Sequence, residues 1–384
     1  MGVALKVLIV GGGIGGLSTA IALGRRGIAH EVVELNPAWS VYGVGIIQPS
    51  NQLRALASLG LAEAVLAAGC GYPGYEVCDA QGHKVASATS DNVNGAGFPS
   101  INGITRTALH KILSSKALAA GTPVRLGVTV LDWRDTSDGV QVRFTDQSEA
   151  RYDLIVAADG ASSAMRQRLF GDAPATTPSF TGIGCWRHNF EKPRELTWGQ
   201  IWFGPRSKAG LIPLSRELMY MFVMASEPGN PRHPPDTLHQ VMRERLQGFG
   251  GLIGALRDQI VDPAAVLYRP IEVLLIEPTW SRGRALLIGD AAHTSSPQLA
   301  SGASMAIEDA IVLADMIGAL TSKGEIESML RQFEQRRMPR VRLVYETGVK
   351  LSQWELAGLS GRPHPESDHA ALMAQAWQTL MQPI

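Results

Sequence analysis

The sequence predicts an α/β fold of Rossmann type, interrupted by a mostly β insertion and completed by a helical C-terminal segment. Three observations lead there. Apolar runs end in glycine turns at three distant places: Val3–Val10 at Gly11, Tyr152–Ala158 at Asp159-Gly160, and Arg284–Ile288 at Gly289-Asp290. Such runs suit strands buried on both faces of a parallel sheet. Between about 176 and 277 the composition shifts towards Trp and Tyr, with alternating stretches such as Met219–Met224. From about Ala303 the spacing is helical to the end, interrupted at Gly361–Asp368. The α/β unit is therefore noncontiguous in sequence.

In chain order, Val3–Val10 is a strand, Ile14–Arg26 a helix with Gly27 at its C-terminal cap, and His30–Leu35 a second strand, the start of a right-handed βαβ unit. Leu53–Leu66 and Thr107–Ala119 have the spacing of surface helices. Val124–Val130 and Val140–Phe144 read as strands, with Asp138-Gly139 turning between them, and Tyr152–Ala158 reads as one more. Pro228–Pro235 is a loop, and Asp236 is placed to cap the helix after it.

A chain of 384 residues, 45% hydrophobic and 18% charged, suits two or three domains and excludes bulk disorder. Lys plus Arg equals Asp plus Glu at 35 each, so nucleic-acid binding has no electrostatic basis. Three cysteines, Cys70, Cys78 and Cys185, form no CxxC pair; no metal site is expected, and the usage suits a reducing compartment. Residues 7–24 are uncharged, but six of them are glycine and Arg25-Arg26-Gly27 follows in place of a cleavage site. The expectation is a cytoplasmic protein with no membrane span.

The glycine turns carry the chemistry. Gly11-x-Gly13-x-x-Gly16 lies between strand and helix, where Gly11 permits a tight turn, Gly13 the approach of a pyrophosphate, and Gly16 close helix–sheet packing. The helix N-terminus beyond it favours anions. Glu34, eighteen residues past Gly16, can accept from ribose hydroxyls and disfavours a 2′-phosphate. Asp159-Gly160-Ala161-Ser162-Ser163-x-x-Arg166 suits a polyhydroxyl or phosphate contact, or alternatively a capped helix start. Gly289-Asp290-Ala291-Ala292-His293, then Pro297 and Gly302, places an acid at a strand end ahead of an apolar helix whose N-terminal dipole favours an anion.

Together these motifs resemble the class A flavoprotein monooxygenases, the family of p-hydroxybenzoate and salicylate hydroxylases, over nearly the whole chain. The resemblance implies noncovalent FAD, with Gly11, Gly13, Gly16 and Glu34 on its ADP half and Gly15, Leu35 and Val130 completing the cofactor-binding set. It places Arg106, in an Arg-x-x-Leu-x-x-x-Leu pattern, at the phosphate and ribityl region, and Asp159 at flavin and nicotinamide. Asp290 falls on the ribityl hydroxyls, Pro297 beside the flavin C4a, and Gly302 and Ala303 towards N1 and O2. One departure is visible: Ala300-Ser301-Gly302 stands where many relatives have Gly-Gln-Gly. The implied domains are 1–72, 97–175 and 278–384 for FAD, and 73–96 and 176–277 for substrate.

The implied activity is single-component hydroxylation of an aromatic or heteroaromatic small molecule by NAD(P)H and O2, through a C4a-hydroperoxyflavin. The resemblance also implies that NAD(P)H binds only transiently, as a co-substrate. The chain would act as a monomer or homodimer. The catalytic candidates are Tyr220 and Arg187 as substrate contacts, Pro297 at the flavin, and His188 as a weaker base. Tyr220 should share a strand face with Phe222 and Met224; its spacing looks like that of the FAD-dependent urate hydroxylases, whose pocket Arg falls at Lys208 or Ala209 here. His293 is expected to order its loop, and His83, His233 and His364 to be solvated turn residues. The alternatives are another FAD-dependent oxidoreductase, such as a halogenase or epoxidase, and a non-catalytic binder on the same fold. The halogenase Trp-x-Trp-x-Ile-Pro motif is absent.

Overall fold

The computed structural model describes residues 3–41 and 43–384. The strand Lys6–Val10 lies at the centre of a six-stranded sheet, flanked by Ala29–Glu34 and Leu154–Ala157, with Val124–Leu126 and Ala285–Leu287 outside them. These five run parallel, and Ser281–Arg282 adds an antiparallel edge. Val7 to Val10 are wholly buried, as the continuous apolar run requires: the helix Ile14–Gly24 packs on the sheet, and an antiparallel sheet of Val130–Thr136, Gly139–Phe144 and Glu149–Tyr152 adds Val140, Val142, Phe144 and Tyr152 to the same core.

A second sheet has eight strands, in the order His293–Thr294, Leu267–Leu275, Ser179–Glu191, Leu218–Ser226, Ser207–Pro213, Gly199–Phe203, Gly74–Cys78 and Lys84–Thr89. One face packs on the helices Leu238–Arg245 and Gly251–Arg257 through Trp186, Met221, Leu211 and Trp202. The other face carries Tyr220, Phe222 and Met224. Opposite them in register stand Asn189, Arg187 and Cys185 on one neighbour, and Ile212, Gly210 and Lys208 on the other. A small sheet of Gly45–Pro49, Ile101–Thr105 and Cys70–Tyr72 closes on this face. A Cβ at Gly45 would lie 2.7 Å from the Tyr220 ring, so only glycine admits that approach.

Several elements are shorter than their apolar runs suggest. Leu53–Leu66 is two helices, Ser50–Ser58 and Ala62–Ala68, separated at the left-handed Gly60. Val124–Val130 divides at Gly127, also left-handed: its first part joins the parallel sheet, and Val130–Thr136 joins an antiparallel one. Tyr152–Ala158 divides at Asp153, which accepts from the Lys6 N–H and pairs with Lys323. Asp236 does not cap its helix; it sits in the turn Pro235–Thr237, and Thr237 occupies the N-cap without a side-chain bond. His233 is largely buried, bonded to Glu227 at 3.1 Å and packed against Trp186 and Tyr268. Among the described residues no helix is long and apolar enough to cross a membrane, and no cluster of His, Cys, Asp and Glu could hold a metal.

Candidate functional site

Lys6–Val10, Leu154–Ala157 and Ala285–Leu287 are adjacent and parallel, so their glycine turns emerge on one edge of the sheet. The chain leaves Lys6–Val10 for neighbours on opposite sides, and the crevice at such a switch point is where open α/β sheets bind ligands. Gly11 has φ +107°, and a Cβ there would lie 2.4 Å from the Ala158 carbonyl oxygen. A Cβ at Gly16 would lie 1.9 Å from the Gly11 carbonyl oxygen. Gly15 faces Ala306 and Ala158 at ordinary contact distance, whereas a Cβ at Gly13 would meet nothing within 4 Å. Gly13 is the N-cap of the helix Ile14–Gly24, so no side chain caps the first turn.

The Glu34 carboxylate accepts from the Gly12 and Asn36 N–H groups, both at 2.7 Å and one on each oxygen. With about four lone-pair sites on a carboxylate, acceptor capacity remains for hydroxyls. Trp39 and His110, which no local motif announces, both donate to the Gly12 carbonyl oxygen, at 3.0 and 3.1 Å. Leu35 is 64% exposed, while the Val130 side chain lies in the core and its carbonyl oxygen accepts from Arg168.

Asp159 accepts from the Ser163 hydroxyl and the Met165 N–H, and Ser163 caps the helix Ala164–Phe170. The capped-start arrangement is thus present, and it holds the carboxylate at the cleft edge. Arg166 is buried and donates to the carbonyl oxygens of Ala161, Thr176 and Ala291, tying this turn to the one at Asp290.

Asp290 and Arg106 are open to water, yet enough protein surrounds them for burial to dominate their titration. Burial raises the Asp290 carboxyl pKa, against the pull of His293, Arg106 and Arg166. It lowers that of Arg106, and the Arg187 charge adds to this. Accessible side chains within the protein mass mark the wall of a cleft. His293 is held away from it, bonded to Asp309 at 2.7 Å. Pro297 is exposed and opens the turn Pro297–Leu299. Ala300, in the departing tripeptide, is left-handed (φ 49°, ψ 26°), and Ser301 bonds to the Leu299 carbonyl oxygen instead of capping the helix Gly302–Gly318. That helix, like the first, starts with no side-chain cap in front of Gly302 and Ala303.

Tyr220 and Arg187 share the sheet face that meets this region. Burial raises the Tyr220 pKa, while Arg187 and Arg106 pull the other way, so all three groups are in electrostatic reach. Directly opposite Arg187, the residues Phe222 and Leu267 offer no carboxylate. His188 does not belong with them. Strand alternation turns it to the opposite face, where it stacks on Phe190 at 4.4 Å and burial lowers its pKa. Tyr72 and Tyr75 also belong here, though no sequence pattern singles them out: their hydroxyls meet at 3.4 Å beside Tyr220, and burial pushes Tyr75 up to about 12. Their only local signal is a pair of aromatics around Pro73.

The cleft fits a dinucleotide on three counts: open space at Gly13, uncapped N–H groups at two helix starts, and accessible acid and guanidinium groups at depth. Comparison with known proteins agrees. The family described as "FAD binding domain" matches residues 4–347. Aurachin C monooxygenase/isomerase of Stigmatella aurantiaca is 33% identical, over 92% of this chain and 91% of its own. The 2-heptyl-3-hydroxy-4(1H)-quinolone synthase of Pseudomonas aeruginosa is 30% identical, over 91% and 90%. Klebsiella pneumoniae HpxO, solved with FAD and uric acid, superposes with a TM-score of 0.83 at 25% identity, over 98% of this chain and 97% of its own.

Proposed function

The chain belongs to the class A flavoprotein monooxygenases and is an FAD-dependent enzyme; from that premise we propose that it hydroxylates an anionic aromatic or heteroaromatic small molecule, using NAD(P)H and O2. The observation that carries this reading is the convergence of Tyr220 and Arg187 with Arg106 and Asp290, from four distant parts of the chain. The heteroaromatic class gains support from two relatives whose names refer to a quinolone and to urate.

Segments 1–72, 97–175 and 278–384 would hold FAD noncovalently, and 73–96 with 176–277 would hold the substrate. Gly11, Gly13, Gly15, Gly16 and Glu34 would take the ADP half, Arg106, Asp159 and Asp290 the middle, and Pro297, Gly302 and Ala303 the flavin end. When bound, FAD supplies oxygen activation with electrons from NAD(P)H. The protein supplies binding and exclusion. Tyr220, with its raised pKa, stays protonated near neutral pH and donates to a substrate oxygen. The Arg187 guanidinium favours the deprotonated, electron-rich form of the ring. Phe222, Met224 and Ile212 form an apolar wall against water.

A panel of phenols, urate-like heterocycles and quinolones, scored by stimulated NAD(P)H oxidation, identifies the substrate, and the product formed under ¹⁸O₂ should carry label. A product without label would reject hydroxylation. Tyr220→Phe removes one hydroxyl and keeps the packing, so kcat/KM should fall about tenfold, at roughly 1.4 kcal/mol per decade, with FAD content unchanged. Kinetics equal to wild type would remove Tyr220 from the site. Asp290→Ala removes a charged acceptor for a ribityl hydroxyl, so the Kd for FAD should rise about 10- to 100-fold in a titration of the apoprotein.

A further inference from the structure

One polar cluster outside the groups above joins three distant parts of the chain. Glu355, on the long helix Ile326–Leu359, forms a largely buried ion pair with Lys208 of the strand Ser207–Pro213. Its other carboxylate oxygen accepts from the Gln298 amide at 3.1 Å, and the same amide nitrogen donates to Ser352 at 3.0 Å, one helical turn earlier. Gln298 directly follows Pro297. Lys208 lies on the sheet face of Arg187 and Tyr220, opposite Met224 in register. The next helix residue, Leu356, packs into the apolar cluster of Cys185 and Met224.

We propose that Glu355 is a positioning residue for the active site: by holding Gln298 and Lys208 at once, it fixes the turn that carries Pro297 against the substrate-facing wall. This rests on the flavin reading above. Among the described residues the side-chain amide oxygen of Gln298 has no hydrogen-bond partner, and the amide is anchored through its nitrogen, to Glu355 and Ser352. Removing the carboxylate takes away one of those two anchors and leaves the Lys208 charge largely buried without its partner. The turn then loosens, and water reaches the flavin end of the cleft.

The test uses the full chain loaded with FAD and read without substrate or NAD(P)H, through iodide quenching of bound-flavin fluorescence. In Glu355→Leu the quenching constant should rise about twofold or more, as expected for a locally opened turn. Glu355→Gln keeps an acceptor for Gln298 and should restore most of the protection. Gln298→Leu breaks the same bond from the other side and should reproduce the rise even where Glu355→Leu does not fold. During turnover, the variants with raised quenching should also release more peroxide per NAD(P)H consumed. Quenching equal to wild type in Gln298→Leu and in every Glu355 variant that folds overturns the assignment. A wild type that takes up no FAD overturns the flavin reading itself, which is a distinguishable result.

Discussion

Arg337→Met should destabilise the protein by about 3–5 kcal/mol, the range for removing one partner of a buried ion pair. Arg337, Glu308 and Asp309 are all at most 1% exposed. The guanidinium bonds Asp309 at 2.7 Å and Glu308 at 3.0 Å, and Asp309 in turn accepts from His293 and from the Gly289 N–H. Methionine fills much of the volume but leaves Asp309 paired with His293 alone among the described ion pairs, and Glu308 with Arg340, Arg54 lying in electrostatic reach of Glu308. Burial alone would raise Asp309; His293 and Arg337 overcome it and hold the carboxyl at about 2. A depressed carboxyl pKa stabilises the fold above its unfolded value, near 4, and that stabilisation is lost as pH falls through about 2. In the variant the folded pKa of Asp309 rises, so the acid-unfolding midpoint should move up in pH. Urea titrations at neutral pH and an acid titration by circular dichroism check both. Unchanged stability would show that this network contributes nothing net. Because Asp309 bonds the Gly289 N–H, the turn carrying Asp290 should loosen as well, and FAD affinity should fall with stability.

Gly16→Ala and Gly13→Ala, three residues apart, should have opposite consequences. At Gly16 the new methyl would stand 1.9 Å from a backbone oxygen in the turn itself, so the turn or the helix must move. The result should be a loss of several kcal/mol of stability, with or without cofactor, of the order seen for overpacking in a tight core. At Gly13 the backbone is extended (φ −84°), and the methyl meets no protein atom within 4 Å. The apoprotein should therefore keep its melting temperature, and only FAD affinity should fall, by more than about tenfold if a pyrophosphate occupies that space. Melting of the two apoproteins, followed by FAD titration, separates steric from ligand effects. A Gly13→Ala protein that binds FAD like wild type would move the pyrophosphate away from this glycine.

The three strand-and-turn sites are legible in the residues alone, because each is set by local physics: an apolar run needs burial, and Gly11 needs a backbone angle other residues avoid. Element ends were less legible. Gly60, Gly127 and Asp153 interrupt runs whose apolar pattern continues across them, and only the partners on either side reveal the break. Alternation along Ser179–Glu191 already separates Arg187 from His188, but which of them meets the cleft depends on what covers each face. The helices Leu238–Arg245 and Gly251–Arg257 cover the His188 side, and the small sheet with Gly45 approaches the other. The Lys208–Glu355 pair spans 147 residues, and His293 finds Asp309 sixteen residues on. Such polar contacts carry no local periodicity or turn chemistry. They form only because folding leaves buried charges that must be paired, and the tertiary structure alone decides with whom.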